Sequence, residues 1–201
     1  MKSFALLSLI LASQAFAATP KLEAGKYSID PAHSKVGFGI SHLVISTVEG
    51  VFSQYSGDIE LGKKIEETKV NVSVDVASVD THNADRDKHL KSVEFFDVEK
   101  FPKMTFVSKK ISGPAEALKV FGDLTMHGVT KPVTLDGKYL GVVNDPFGNT
   151  KAVFTAKGKI NRKDFGLTWS KVVEAGPVVG NEVELDFRVE AGKPTAKNAA
   201  K

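Results

Sequence analysis

The run "KVNVSVDVAS" limits what this chain can fold into more than any other stretch. Val70, Val72, Val74 and Val76 alternate with Lys69, Asn71, Ser73 and Asp75. Side chains of a strand point to opposite faces in turn, so this pattern predicts a strand with one buried and one wet face. The same period recurs in "KVGFGISH", where Val36, Phe38, Ile40 and His42 share a face, and in "NEVELDFRVE", where Val183, Leu185, Phe187 and Val189 share one. Further runs lie at 103–108, 117–124, 131–143 and 151–160. Turn-forming clusters separate several of them, among them Ser112-Gly113-Pro114 and the stretch from Asn144 to Asn149. About eight strands in one domain predict an antiparallel sandwich or a closed barrel. A barrel of about that size is either filled by its own side chains or holds one small ligand. Glycines within or beside the runs, such as Gly37, Gly39 and Gly122, suit sharp bends or a close approach to the backbone.

One stretch breaks the alternation, "NADRDKHLKSVEFFDVEKFP". Asn83 is placed to cap a short helix over 83–91, with Asp85 near its positive end and Lys88 and Lys91 near its negative end. Phe95, Phe96 and Phe101 follow and are expected to plug or line one end of the fold.

The first residues carry a leader pattern: Lys2, an apolar run over 4–12, and the small-x-small triplet Ala15-Phe16-Ala17. They predict a signal peptide over 1–17, cleaved after Ala17. The remainder is expected to form one barrel domain over 18–191 and a disordered tail over 192–201, where alternation is lost. The leader run is shorter than the ~20 residues of a membrane span. No stable membrane anchor is expected, and the predicted location is the bacterial periplasm. With no cysteine, neither disulfides nor thiol chemistry are available. The formal charge of +3 is close to neutral, so no basic stripe points to a nucleic-acid partner.

Chemistry is hard to find. There is no Gly-x-Ser-x-Gly elbow, and the Gly-Phe-Gly at 37–39 sits in a strand with no following helix, which rejects a dinucleotide loop. The acids are too many to single out one catalytic pair. His82, Asp85 and His89 are spaced so that a helix reaching back to His82 would gather them as a metal site or a metal-assisted hydrolase centre. The alternative is a solvent-facing helix with paired charges, which the capping position of Asn83 favours. The 13 phenylalanines are either plain core or the lining of an apolar pocket.

Four ordered segments, "YSIDPAHSKVGFGISHLVISTVEGVFSQYSGDIEL", "ADRDKHLKSVEFFDVEKFPKMTFVS", "VFGDLTMHGVTKPVTL" and "INRKDFGL", together resemble the YceI-like family of polyisoprenoid-binding proteins over residues 26–191. Tyr27 stands where many members carry tryptophan, a conservative aromatic change. The resemblance implies an all-β fold, a single antiparallel eight-stranded lipocalin-like barrel closed by a helix. It implies a non-enzymatic carrier, exported, without cofactor, holding an isoprenoid lipid such as a polyprenyl pyrophosphate or a quinone tail. It also admits a homodimer. On that basis Phe38, Ile40, His42, Phe106, Phe121, Phe154 and Phe165 are candidates for the wall around the apolar tail. Arg86, Lys88 and His89 are candidates for the head group, because a pyrophosphate wants charged donors. Arg86, lying between two aspartates, is also a candidate fastener of the helix, the more usual role for an arginine so placed.

Overall fold

The structure, a computed structural model, describes residues 20–173 and 176–193. The expected leader and residues 194–201 of the expected tail lie outside them. The described residues form thirteen strands in chain order: β1 (Gly25–Ile29), β2 (Lys35–His42), β3 (Ser46–Phe52), β4 (Tyr55–Leu61), β5 (Lys69–Asp75), β6 (Val79–Asp80), β7 (Lys103–Ser112), β8 (Leu118–Met126), β9 (Val129–Asn144), β10 (Thr150–Asn161), β11 (Val172–Val173), β12 (Gly176–Pro177) and β13 (Val179–Gly192). One helix, α1 (Ala84–Lys91), sits between β6 and β7.

The sheet closes on itself. Its antiparallel order runs β1-β4-β5-β7-β8-β9-β10-β13, and β13 pairs back onto β1. β2, β3 and β6 are not extra staves. Each continues β1, β4 or β5 past a bend, so the barrel has eight staves, three of them bent. Polar side chains make the bends. At Pro31–His33 the Asp30 carboxylate accepts from the Ala32 N–H at 3.1 Å. At Val76–Ser78 the Asp75 carboxylate accepts from Ala77 at 3.1 Å. Neighbouring bends are stitched, since Ser53 N–H donates to the Ser78 carbonyl and Gln54 N–H to the Ser78 hydroxyl.

The expected helix forms where its cap predicts. The Asn83 side chain accepts from Arg86 N–H at 2.9 Å. The helix is fastened to the wall through Thr81, which is buried. Arg86 donates Nε–H to the Thr81 hydroxyl and Nη2–H to its carbonyl, both at 2.7 Å. Thr81 in turn donates its hydroxyl and N–H to the Asp87 carboxylate, at 2.6 and 3.0 Å. Asp85 stays exposed.

A bulge explains why one expected run stops early. Alternation along β7 holds through Met104 and Phe106, then the register shifts between Ser108 and Lys110, and Ile111 returns to the inside. One extra residue resets which parity faces the core.

Candidate functional site

The inward faces of the strands enclose a cavity of about 270 Å³. Its wall is almost wholly apolar. The faces read from the alternation supply much of it: Val36, Phe38 and Ile40 from β2, Val70, Val72 and Val74 from β5, and Val183, Leu185, Phe187 and Val189 from β13. Many of these side chains are half-buried because they border empty space instead of packed neighbours.

Two clusters flank the cavity. One contains Tyr27, Leu61, Tyr139, Ala152 and Ala191, all buried, and seals its end of the barrel. The Tyr139 hydroxyl donates to the Lys21 carbonyl at 2.6 Å and the Tyr27 hydroxyl to the Glu23 carbonyl at 2.8 Å, strapping the preceding segment across that end. Burial pushes the Tyr139 phenol up to about 12, so it remains a donor. The other cluster contains Phe52, Val76, Met126 and Phe165. At that end the wall continues onto the helix segment through Leu90, Phe95 and Phe96 and along β2 and β13 to Ile40 and Val179. The cavity wall therefore reaches the α1 end of the barrel.

Of the residues expected in the wall, Phe38, Ile40, Phe106 and Phe154 border the cavity. His42, Phe121 and Phe165 do not. His42 closes β2 opposite Val179, beyond the last inward residue of that strand. Phe121 has the wrong parity: Leu118, Val120, Leu124 and Met126 point inward, so Phe121 points out and is 38% exposed. Phe165 is fully buried in the 3-10 turn after β10, packed with the second cluster. Phe95 and Phe96 line the cavity as expected, whereas Phe101 meets His127 edge to face with ring centroids 4.5 Å apart.

None of Arg86, Lys88 and His89 borders the cavity. Arg86 is held by Thr81 as described, Lys88 is exposed, and His89 Nε2 lies 2.6 Å from a Glu94 carboxylate oxygen. Nor are His82, Asp85 and His89 gathered. His82 is exposed and sits 3.6 Å from Asp80, while His89 faces Glu94. Among the described residues the converging set is Asp30, His33 and Glu190. Lys151 Nζ stands 2.9 Å from Asp30 and 3.2 Å from Glu190, so a lysine already supplies the positive charge there. The Lys151 ammonium and then His33 hold the Asp30 carboxyl down at about 2.

One polar residue in the wall was not singled out from sequence. Arg162 borders the cavity and is only 3% exposed. Its guanidinium donates to the carbonyls of Gly180 at 2.7 Å and Leu167 at 2.5 Å, and among the described residues it forms no ion pair. It ties the end of β10 to the segment leading to β11 and to the start of β13. Sequence offered only an arginine within "INRKDFGL"; its burial is set by partners that the fold delivers.

Comparison with known proteins agrees with this architecture. Residues 27–191 match the model of the YceI-like domain. A relative from Salmonella newport (strain SL254), Protein YceI, is 43% identical over 188 residues, covering 92% of this chain and 95% of that protein. The crystal structure of the Campylobacter jejuni YCEI protein is 38% identical, with a TM-score of 0.67 over 83% of this chain and 96% of that one. A polyisoprenoid-binding domain from Saccharophagus degradans is 18% identical and shares the fold, with a TM-score of 0.63 over 84% of this chain and 98% of that one. A match spanning the whole barrel, from the sealing tyrosine of β1 to the last buried alanine of β13, places the chain in the YceI-like domain family.

Proposed function

We propose that this protein is an exported, non-enzymatic carrier that holds a long isoprenoid lipid, such as a polyprenyl pyrophosphate or a quinone tail, in the barrel interior. The observation that carries the reading is the cavity itself: an apolar-walled space, sealed at one end and reaching toward the helix at the other. Burying each methylene of a ligand there is worth about 0.8 kcal/mol. Ordering a flexible chain takes back part of that gain. Binding of this kind needs no bond-making residue. The polyisoprenoid-binding domain that shares the fold supports the ligand class. The leader pattern at 1–17 supports export to the periplasm.

Ligand pockets commonly span about 300–1,000 Å³, so this cavity is small for a chain of many isoprene units. The half-buried wall side chains have room to change rotamer, and in this reading the remainder of the ligand leaves the barrel at the α1 end, head group outermost.

Organic extraction of protein purified from cells, followed by mass spectrometry, tests the proposal. An isoprenoid should be recovered in near-stoichiometric amount. Protein that is always empty and takes up neither added polyprenyl lipid nor quinone contradicts it.

A further inference from the structure

We propose that the rim at the α1 end, built from the β2–β3 loop and the paired strands β11 and β12, docks this protein onto the surface of an anionic lipid bilayer.

Four large apolar side chains stand in water on these two loops. Val44 is 61% exposed, Ile45 91%, Val172 78% and Val173 45%. The loops form one patch. A Cβ built on Gly176 would lie 3.2 Å from Val44 Cγ2, and Leu43 N–H donates to the Val178 carbonyl at 3.0 Å. The patch stands where β2 and β13 carry the cavity wall to Ile40 and Val179, so it adjoins that end of the wall and not the end sealed by Tyr27 and Tyr139.

The backbone gives an independent sign. Leu43 and Val44 occupy the left-handed region, at φ 49° and 70°. A hairpin turn of this kind favours glycine or asparagine, and a β-branched residue there is strained. Local stability alone would not select valine at this position. Strain of this kind clusters at functional sites.

The surroundings fit a bilayer interface better than a protein groove. Trp169, the sole tryptophan of the chain, is half-buried three residues before Val172, with ring centroids 5.0 Å from Phe95 and 5.3 Å from His89. Lys171 Nζ lies 5.9 Å from the Trp169 ring. The last turn of α1, which meets Trp169 through His89, carries Lys88 and Lys91. Among the described residues these three lysines form no ion pair, and Glu94 is taken up by His89. Apolar tips flanked by tryptophan and lysine match the interface of an anionic membrane. A rim seated there would let an apolar chain pass between bilayer and cavity without crossing water; only this purpose rests on the carrier reading.

The test uses the ligand-free full chain and unilamellar vesicles of brominated phosphatidylcholine with and without phosphatidylglycerol, reading Trp169 emission. Bromine quenches at contact range, so Trp169 reports the rim and not the leader. Expected are a blue shift and strong quenching on phosphatidylglycerol vesicles, weaker on phosphatidylcholine alone, with apparent affinity lowered at least tenfold in Ile45→Glu/Val172→Glu. Unchanged circular dichroism will show that this variant is folded. Unquenched wild type, or equal quenching of the variant, overturns the proposal. So does a dimer in vesicle-free solution that the variant abolishes, because the patch then belongs to a second copy. Docking without lipid uptake would refute the carrier reading alone, and uptake with Trp169 unquenched would refute docking alone.

Discussion

The ring of Phe106 on β7 lies directly over Gly122 on β8: a Cβ added at position 122 would stand 2.5 Å from Phe106 Cζ and 2.6 Å from the Val107 carbonyl oxygen. The glycine lets the ring lie along the wall instead of across the cavity. Phe38 uses Gly50 on β3 in the same way, with a clearance of 2.4 Å. Glycines thus seat two of the phenylalanines that border the cavity. Gly122→Ala should therefore push Phe106 inward and strain the strand pair, costing about 1–3 kcal/mol. A urea titration measures the loss, and an unchanged midpoint would show that the ring has another place to go.

The parity of β8 separates two phenylalanines that look alike in sequence. Phe106→Ala should cost about 3 kcal/mol and alter lipid uptake. Phe121→Ala, on the outer face, should change stability by less than about 1 kcal/mol and leave uptake as in wild type. Thermal melts and a lipid-binding titration on both variants check the pair. An uptake defect in Phe121→Ala would contradict the inside-outside assignment.

Arg162 predicts a stability defect rather than a simple loss of charge. Replacing it with methionine leaves the Gly180 and Leu167 carbonyls without their donor. A buried group stripped of its partner costs about 1–3 kcal/mol. Hydrogen exchange should show lost protection first at the start of β13 and in the segment after residue 165. Protection unchanged there would show that the fork is dispensable.

The network at the first bend should show in the pH dependence of stability. The Asp30 carboxyl lies at about 2 in the fold against an ordinary 3.8. Its contribution is therefore fully present above about pH 4 and fades as pH falls toward 2. Allowing for partial exposure, that contribution is about 1–2 kcal/mol. His33, raised by the Asp30 carboxylate, works in the opposite sense: its contribution is present below the ordinary histidine value and is lost as pH rises through the raised one. Urea midpoints from pH 2 to 8 should thus fall on the acid side, and Lys151→Met should flatten that acid branch. An acid branch as steep in Lys151→Met as in wild type would show that Lys151 does not hold Asp30 down.

Much of the wall was legible because a strand writes its burial in every second residue. Val70, Val72 and Val74, and Val183 through Val189, could be read as one face before any partner was known. Legibility ended where apolar residues occupied both parities. Leu118, Val120, Phe121 and Leu124 alternate only if Phe121 is set aside, and the pairing of β8 with its neighbours makes that choice. The helix cap at Asn83 was local and therefore readable. The roles of Arg86 and Arg162 depended on acceptors that only the folded wall delivers, Thr81 in one case and Gly180 and Leu167 in the other.

The central claim is that the barrel interior takes an isoprenoid chain. Native mass spectrometry of extracted protein with added polyprenyl lipid tests it most directly, run beside Leu124→Trp, a substitution in the cavity wall. Wild type should retain one lipid per chain, and the folded Leu124→Trp variant should retain at least tenfold less. No adduct on wild type, or an equal adduct on both, would contradict the account.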